Sequence, residues 1–343
     1  MSPPLPRLRG RFEFLQFEAG RLSAVGWVLS PQTPIEEYRI TLDGQELGNA
    51  EPMLREDVHA NFPDLSPTPN LGFRMDFEVP AEAVEGLHRI ETTGYAQGQP
   101  VGRITTAFAR DFMDGIPIPP EDLMVLVANE RNPVTYLCSA MEVLATLEDV
   151  FQQHGKSNLG RVLDWGCGVG RLSAFLPRYF QLADLTGCDI VSQNVEWCVQ
   201  NLQFGTFHHI DLFPPLPWEA ESFDTLIGYS VFTHLKRADQ LAWLREIRRI
   251  LKPGGLALVS VHGEFAATNC HGGSMLEALE PVGILDHFPD PNLDGHAPEG
   301  YYRAVFQTQD YTHRTWGEIL DVADYQPAAM GHFQDLVVLK KPL

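Results

Sequence analysis

Val162 to Arg171 read VLDWGCGVGR, two apolar residues and a carboxylate running into glycines at 166, 168 and 170. Glycine reaches positive φ at little cost and lets a backbone approach a ligand without a Cβ in the way. A helix that follows such a loop offers free amides and the positive end of its dipole. That is chemistry for holding a nucleotide-like molecule. The dinucleotide fingerprint G-x-G-x-x-G is not met, because position 171 is arginine and the pattern is G-x-G-x-G. Taken alone, the loop also fits a tight strand-to-helix turn with no ligand at all.

Two downstream carboxylates sharpen the reading. Asp189 is the last acid of the stretch ADLTGCDI, and Asp211 lies in HHIDLFPPLP. At the carboxyl ends of neighbouring strands, the first can accept both hydroxyls of a ribose. The second can accept from the exocyclic amine of a purine. Open α/β sheets bind their ligands along that edge. An amino-acid end, a ribose and an adenine together describe S-adenosylmethionine.

Methyl transfer from a sulfonium is an in-line displacement in which the protein aligns the acceptor and excludes water. A hydroxyl acceptor also needs a base. His234, in SVFTHL, and His262, in LVSVHG, follow two strand patterns and are the catalytic candidates. The alternatives are packing or capping for His234 and a loop hydrogen bond for His262. Glu264 and Asp310 stand behind them. His208 and His209 point to opposite faces of one strand and read as structural.

The surrounding pattern says what must position these groups. RVLDW (161–165), ADLTGCDI (183–190), TFHHIDL (206–212), FDTLIGYS (223–230) and LALVSVH (256–262) alternate with helical stretches, the clearest being DQLAWLREIRRIL (239–251). Such alternation predicts a parallel sheet covered on both faces. Apolar residues three and four apart predict a helix over 134–155, stopped by Gly155. Residues 264–308 are too long for an ordinary connection. With Phe265, His271, Phe288, Tyr301, Tyr302 and Phe306 they read as a lid over an acceptor pocket, or as a covering loop with buried aromatics.

Residues 1–113 carry short β-type stretches at 11–17, 21–30, 37–43, 72–80 and 87–95, with an Asp43-Gly44 hairpin signal. They predict a separate antiparallel β-sandwich. The proline-rich 114–133 reads as a linker.

On these motifs, residues 134–343 resemble a class I S-adenosylmethionine-dependent methyltransferase. The resemblance rests on VLDWGCGVGR, GCDI, HIDL, FDTLIGYSVFTHL and LREIRRILKPGGLALVSVHG, in that order. It implies an α/β, Rossmann-like, seven-stranded and mostly parallel sheet, its last pair including an antiparallel strand for which HFQDLVVLKK (332–341) is suited. DYTHRTWGEIL (310–320) fits the preceding helix. It implies that Asp164, Gly166, Cys167, Gly168 and Gly170 lie beside the methionine part, that Asp189 holds the ribose and Asp211 the adenine, that Ile190 and Leu212 flank the purine, and that Tyr229 or Ser230 faces the sulfonium. The N-terminal sandwich is similar to small modules attached to glycan-modifying enzymes. That similarity suggests O-methylation of a sugar or glycan precursor. A small natural product is the other acceptor class, and a glycan-binding or assembly protein that only retains the cofactor is the non-enzymatic reading.

Composition narrows the partners. The chain of 343 residues is 44% hydrophobic and carries a formal net charge of −20, which disfavours nucleic acid and anionic membranes. Five cysteines at no zinc-ligand spacing, and histidines 271, 287 and 296 at no recognisable metal spacing, predict no metal. Reduced thiols and no apparent leader suggest a cytoplasmic protein. A homodimer formed through the N-terminal domain is a further expectation.

Overall fold

The computed structural model describes residues 5–30, 33–66, 68–271, 273–291 and 295–343. The side chains of residues 271 and 273 lie outside that description, so the expectation for His271 is not addressed. The chain divides into two compact units. One comprises residues 1–116 and 132–150, the other residues 117–131 and 151–343.

The first unit is built on β1 (Arg9–Glu18), β2 (Arg21–Leu29), β3 (Glu37–Leu42), β4 (Gln45–Leu54), β5 (Asn70–Glu78), β6 (His88–Ala96) and β7 (Gln99–Phe108). They are hydrogen-bonded in the order β1-β2-β5-β4-β3-β6-β7, antiparallel throughout. The residues leading into β1 then bond to the far edge: Leu8 N donates to Arg103 O at 3.0 Å, and Arg103 N to Pro6 O at 3.0 Å. The expected sandwich of two packed sheets is therefore, among the described strands, one sheet whose two edges meet. Joining them leaves fewer unpaired backbone groups than two open sheets would.

The helix Pro133–Gln153 belongs to this unit over residues 132–150. Asn132 caps it, its Oδ1 accepting from Val134 N at 2.8 Å and Thr135 N at 3.3 Å, with proline at the first helical position. The helix completes a defect in the sheet. β1 and β2 slip register between Phe12 and Phe14, so Glu13 bulges out. The buried Glu142 accepts from Phe12 N at 2.7 Å, and Thr135 Oγ1 donates to Glu13 O at 3.2 Å. One helical face, at 135, 142, 146 and 149, thus meets the sheet, with Arg7 donating to Thr146 and Arg89 paired to Asp149. The sequence pattern assigned this helix to the second domain because its apolar spacing does not reveal which surface it covers.

The second unit contains β8 (Arg161–Trp165), β9 (Asp184–Asp189), β10 (Thr206–His209), β11 (Phe223–Gly228), β12 (Leu251–Val261), β13 (Ile284–Pro289), β14 (Arg303–Gln307), β15 (Asp321–Met330) and β16 (Gln334–Lys340). The main sheet runs β10-β9-β8-β11-β12-β16-β15. Its first five strands are parallel, and β16 is antiparallel to both neighbours. The seven strands and the antiparallel pair agree with the Rossmann-like expectation. The strand order reverses between β8 and β11, and open α/β sheets bind ligands at such a point, beyond the carboxyl ends of the strands. Trp165, at the end of β8, packs on Phe232 (5.1 Å) and Trp243 (4.9 Å), and Phe232 on Trp316 (4.7 Å). This buried aromatic row fixes the strand end that carries the glycine loop.

The helix expected at 310–320 is found as one α-helical turn, Gln309–Tyr311, continued by a π-helical stretch over Thr312–Trp316. Two local expectations change. The proline-rich stretch holds a helix at Glu121–Ala128, part of the second unit. Residues 264–308 contain helices Glu264–His271 and Gly273–Leu279 and the antiparallel hairpin β13–β14, while residues 272 and 292–294 lie outside the described ones. No helix among the described residues is long and apolar enough to cross a membrane.

Replacing Glu142 by alanine leaves the Phe12 amide buried without its acceptor. It should cost about 1–3 kcal/mol of stability, seen as a lower urea midpoint, with Glu142→Gln recovering part of the loss. An unchanged midpoint in Glu142→Ala would show that the bulge is held by other means.

Candidate active site

The glycine loop leaves β8 at Trp165. Gly166 and Gly168 take φ of +71° and +55°, values that an L side chain adopts only with strain. A Cβ at Gly166 would run into Val231, at Gly168 would lie 2.9 Å from Val127 Cγ1, and at Gly170 would run into Leu202. The glycines thus make room for neighbouring side chains on three other segments, Val127 among them on helix Glu121–Ala128.

The loop amides correct the expectation of free donors. Gly166 N and Cys167 N both donate to Cys188 O, at 2.8 and 3.0 Å, and Gly170 N donates to Cys167 O at 2.9 Å. Gly168 N donates to Asp189 Oδ2 at 2.8 Å. The helix expected directly after the loop is only Leu176–Tyr179, reached through turns. The loop spends its donors on fastening itself to the end of β9, so a helix dipole contributes little here.

What the loop presents is acceptors. Asp164, on β8, is 2% exposed and accepts from Ser173 Oγ at 2.6 Å. Burial pushes its carboxyl up to about 6; the Ser173 bond opposes this and the nearby Asp189 charge adds to it. Asp189 ends β9 and is 8% exposed. Besides Gly168 N it accepts from Val191 N at 2.8 Å and Asn194 Nδ2 at 3.3 Å. Burial raises its carboxyl too, against the Val191 and Gly168 bonds. Two buried carboxylates side by side fit a ligand rich in donors and positive charge. S-adenosylmethionine is such a ligand, with its ammonium, sulfonium and ribose hydroxyls.

The remaining candidates fall into place unevenly. Cys167 Sγ and Cys198 Sγ both lie 3.5 Å from Gly168 O, buried under the loop. Ile190 packs on the cluster that contains Trp165. Its carbonyl accepts from His209 at 3.1 Å. Leu212 is half-buried, its carbonyl accepting from Tyr301 Oη at 2.7 Å. Asp211 is exposed beyond β10 and does not join the Asp164–Asp189 network. Tyr229 lies under the Arg171 guanidinium at 5.2 Å. Ser230 has φ of +61° and is held by a polar ring: its N donates to Ser260 Oγ (2.7 Å), Ser260 Oγ to Gln334 Oε1 (2.6 Å), and Gln334 Nε2 to Ser230 Oγ (2.9 Å). A strained residue locked this firmly is typical of functional sites. Nothing in the sequence pattern marked Ser260 or Gln334, which sit inside strand runs.

The two candidate bases are brought together, their rings 6.2 Å apart. His262 follows β12 and is buried between Phe306 (5.1 Å) and Phe333 (5.5 Å). Burial, with a smaller push from His234, drives it down to about 3, so it is neutral at physiological pH. Its Nδ1 has no hydrogen-bond partner among the described residues. His234 ends the turn Phe232–His234; its Nδ1 lies 3.1 Å from Arg303 O and 3.3 Å from Asp290 Oδ2, and Tyr302 stacks on its ring at 3.9 Å. Glu264 accepts from Gln309 N at 3.0 Å, and the exposed Asp310 pairs with Arg314 at 2.8 Å, so both fallbacks have structural duties. In the insertion, Phe306 belongs to a core with Ala266, Met275 and Leu279 against which Phe288 packs. Asp290 escaped the sequence reading because a lone acid between prolines carries no pattern. Among the described residues no cluster could hold a metal ion.

With this geometry in view, comparison with known proteins is specific for one segment. Residues 162–255 match the family model of a methyltransferase domain. That segment runs from the glycine loop through Asp189, Asp211 and His234 into β12. Over 103 residues the chain is 32% identical to the fatty-acid O-methyltransferase of Mycolicibacterium smegmatis, covering 29% of this chain and 35% of that protein. Over another 103-residue alignment it is 33% identical to a ubiquinone biosynthesis O-methyltransferase of Cereibacter sphaeroides, covering 29% and 40%. Over 154 residues it is 27% identical to methyltransferase GfsG of Streptomyces halstedii, covering 41% and 54%. The chain thus spans between about a third and about a half of the length of these curated relatives. The second unit thus contains a segment, residues 162–255, that is similar to a methyltransferase domain, on a Rossmann-like sheet.

Asp164 gives this domain a pH signature. Its carboxyl is raised in the folded state, so the folded protein holds that proton more tightly than the unfolded chain. Its unfavourable contribution therefore grows as pH rises from about 4 to about 6 and is complete at about pH 7. Asp164→Asn keeps an acceptor for Ser173 and should raise the Tm of the ligand-free protein at neutral pH, the gain fading as pH falls from about 6 to about 4. A Tm difference that does not change with pH would contradict this.

Proposed function

We propose that the second unit is an S-adenosylmethionine-dependent O-methyltransferase whose acceptor is a sugar or glycan precursor. One observation carries the cofactor part: the acceptor-only floor of Asp164 and Asp189, fastened under the glycine loop. In this reading Asp189 receives the ribose hydroxyls while keeping its bonds to Gly168 and Val191. Asp164 and the loop from Gly166 to Gly170 border the methionine part. Ile190 and Leu212 flank the purine, Asp211 meets its amine, and Tyr229 and Ser230 face the sulfonium. The bound cofactor supplies a methyl group already activated towards displacement. The chain aligns the acceptor, keeps water out and takes the hydroxyl proton on His234 or His262.

Support for a sugar acceptor comes from the aromatic faces of the insertion. Tyr301 meets the half-exposed Phe213 edge-on at 5.5 Å, a surface suited to a sugar ring. The relatives favour a second reading, a small lipid- or quinone-like acceptor, because their names specify a fatty acid and ubiquinone biosynthesis.

Calorimetry of the intact chain with S-adenosylmethionine should show binding. Asp189→Ala should weaken it by about five-fold or more, the equivalent of ~1 kcal/mol, through lost hydrogen bonds. Incubation with nucleotide sugars, oligosaccharides, fatty acids and phenols, read by the mass gain of one methyl group, separates the two acceptor classes. Absence of binding heat would remove the cofactor assignment. Binding without transfer to any acceptor would leave a cofactor-holding assembly protein.

A further inference from the structure

We propose that Asp290, carried by the insertion next to the β13–β14 hairpin, is a positioning residue that sets His234 as the proton acceptor of the transfer. This rests on the methyltransferase reading above.

The argument begins at one nitrogen. His234 Nδ1 faces two acceptors, Arg303 O at 3.1 Å and Asp290 Oδ2 at 3.3 Å. Two acceptors on one ring nitrogen place the proton there, which leaves the lone pair on Nε2. Tyr302 lies flat on the imidazole, its ring 3.9 Å away and tilted by 12°, so the ring plane is fixed as well as the tautomer. Asp290, Tyr302 and Arg303 all come from the insertion, beyond the segment that matches the methyltransferase family model. The His234 and Asp290 side chains are each only 14% exposed. A charge pair formed there is poorly screened, so an imidazolium created by proton uptake would be stabilised by the carboxylate.

The neighbouring groups favour the same residue. The titratable and charged groups facing His234 are Asp290, Tyr302 and His262, with Arg303 contributing its carbonyl. His262 is neutral and walled by Phe306 and Phe333. Burial and the charges of Asp189 and Asp290 raise the Tyr302 hydroxyl. In the step itself the acceptor O–H bond breaks and its proton goes to His234 Nε2. The O–CH3 bond forms as the C–S bond breaks, and the sulfur keeps the electron pair.

The test uses the full chain and has two parts. Proton NMR should show a downfield imidazole N–H resonance that His234→Asn removes and His262→Asn leaves. Asp290→Ala should shift or broaden it and Asp290→Glu should retain it. Calorimetry should find S-adenosylmethionine binding to Asp290→Ala unchanged within about two-fold. With acceptors that the wild type methylates, Asp290→Ala should lower kcat by ~10²-fold at constant KM for an aliphatic hydroxyl. The loss should be smaller for a more acidic phenol, since base assistance matters less as the acceptor acidifies. A resonance insensitive to Asp290→Ala, an equal loss for both acceptors, or a parallel rise in KM would overturn the role of Asp290. A wild type that binds no S-adenosylmethionine would overturn the underlying reading instead, and calorimetry reports that separately.

Discussion

The carboxylate of Asp189 holds the glycine-loop end of the second unit together. One oxygen takes the Gly168 amide and the other takes the Val191 amide and the Asn194 side chain. A single group thereby ties the glycine loop, the end of β9 and the start of the next helix. Cys188 O reinforces the tie by accepting from Gly166 and Cys167. The crevice at the reversal of strand order keeps its shape because these bonds are buried, where a missing partner costs more than it would in water.

The same arrangement opposes stability. Asp164 and Asp189 are buried close together, and burial disfavours the charged form of each. A core chosen for stability alone would not place two acids there. Groups held in an unfavourable state in a crevice are a common mark of function. Here they describe the missing complement, a ligand that brings donors and positive charge. The insertion adds the other half of the site. Its packed core of Phe306, Met275 and Leu279 gives it rigidity, and its exit carries Asp290, Tyr302 and Arg303 to His234. The segment that matches the family model supplies the Asp189 end of the sheet, and the insertion supplies the groups packed around His234.

The first unit solves a separate problem. A bulge at Glu13 leaves backbone groups of β1 without partners across the ladder, and helix Pro133–Gln153 supplies them through Glu142 and Thr135. The sheet and this helix therefore form one unit although residues 117–131, which belong to the second unit, separate them in sequence.

Much of the second unit was legible from the sequence. The alternation of strands and helices, the G-x-G-x-G loop and the acids at 189 and 211 are local patterns, and periodicity reports them because each element buries one face. The sequence carries no clear strand pattern at β7, β13, β14 and β15, where Gly, Pro and polar residues interrupt the alternation, and it marks β4 only through the Asp43-Gly44 hairpin signal. The meeting of the N-terminal sheet's edges depends on pairing between residues 8 and 103, which no local pattern encodes. Sequence alone determined that two acids would follow a glycine loop. Only the tertiary structure decided that the loop's amides would be spent within the protein, on Cys188 O, Cys167 O and Asp189, that Asp211 would stay exposed, and that His234 would meet Asp290. The reason is physical: propensity and periodicity act over a few residues, whereas a hydrogen bond or a buried charge is settled by whatever distant segment packs against it.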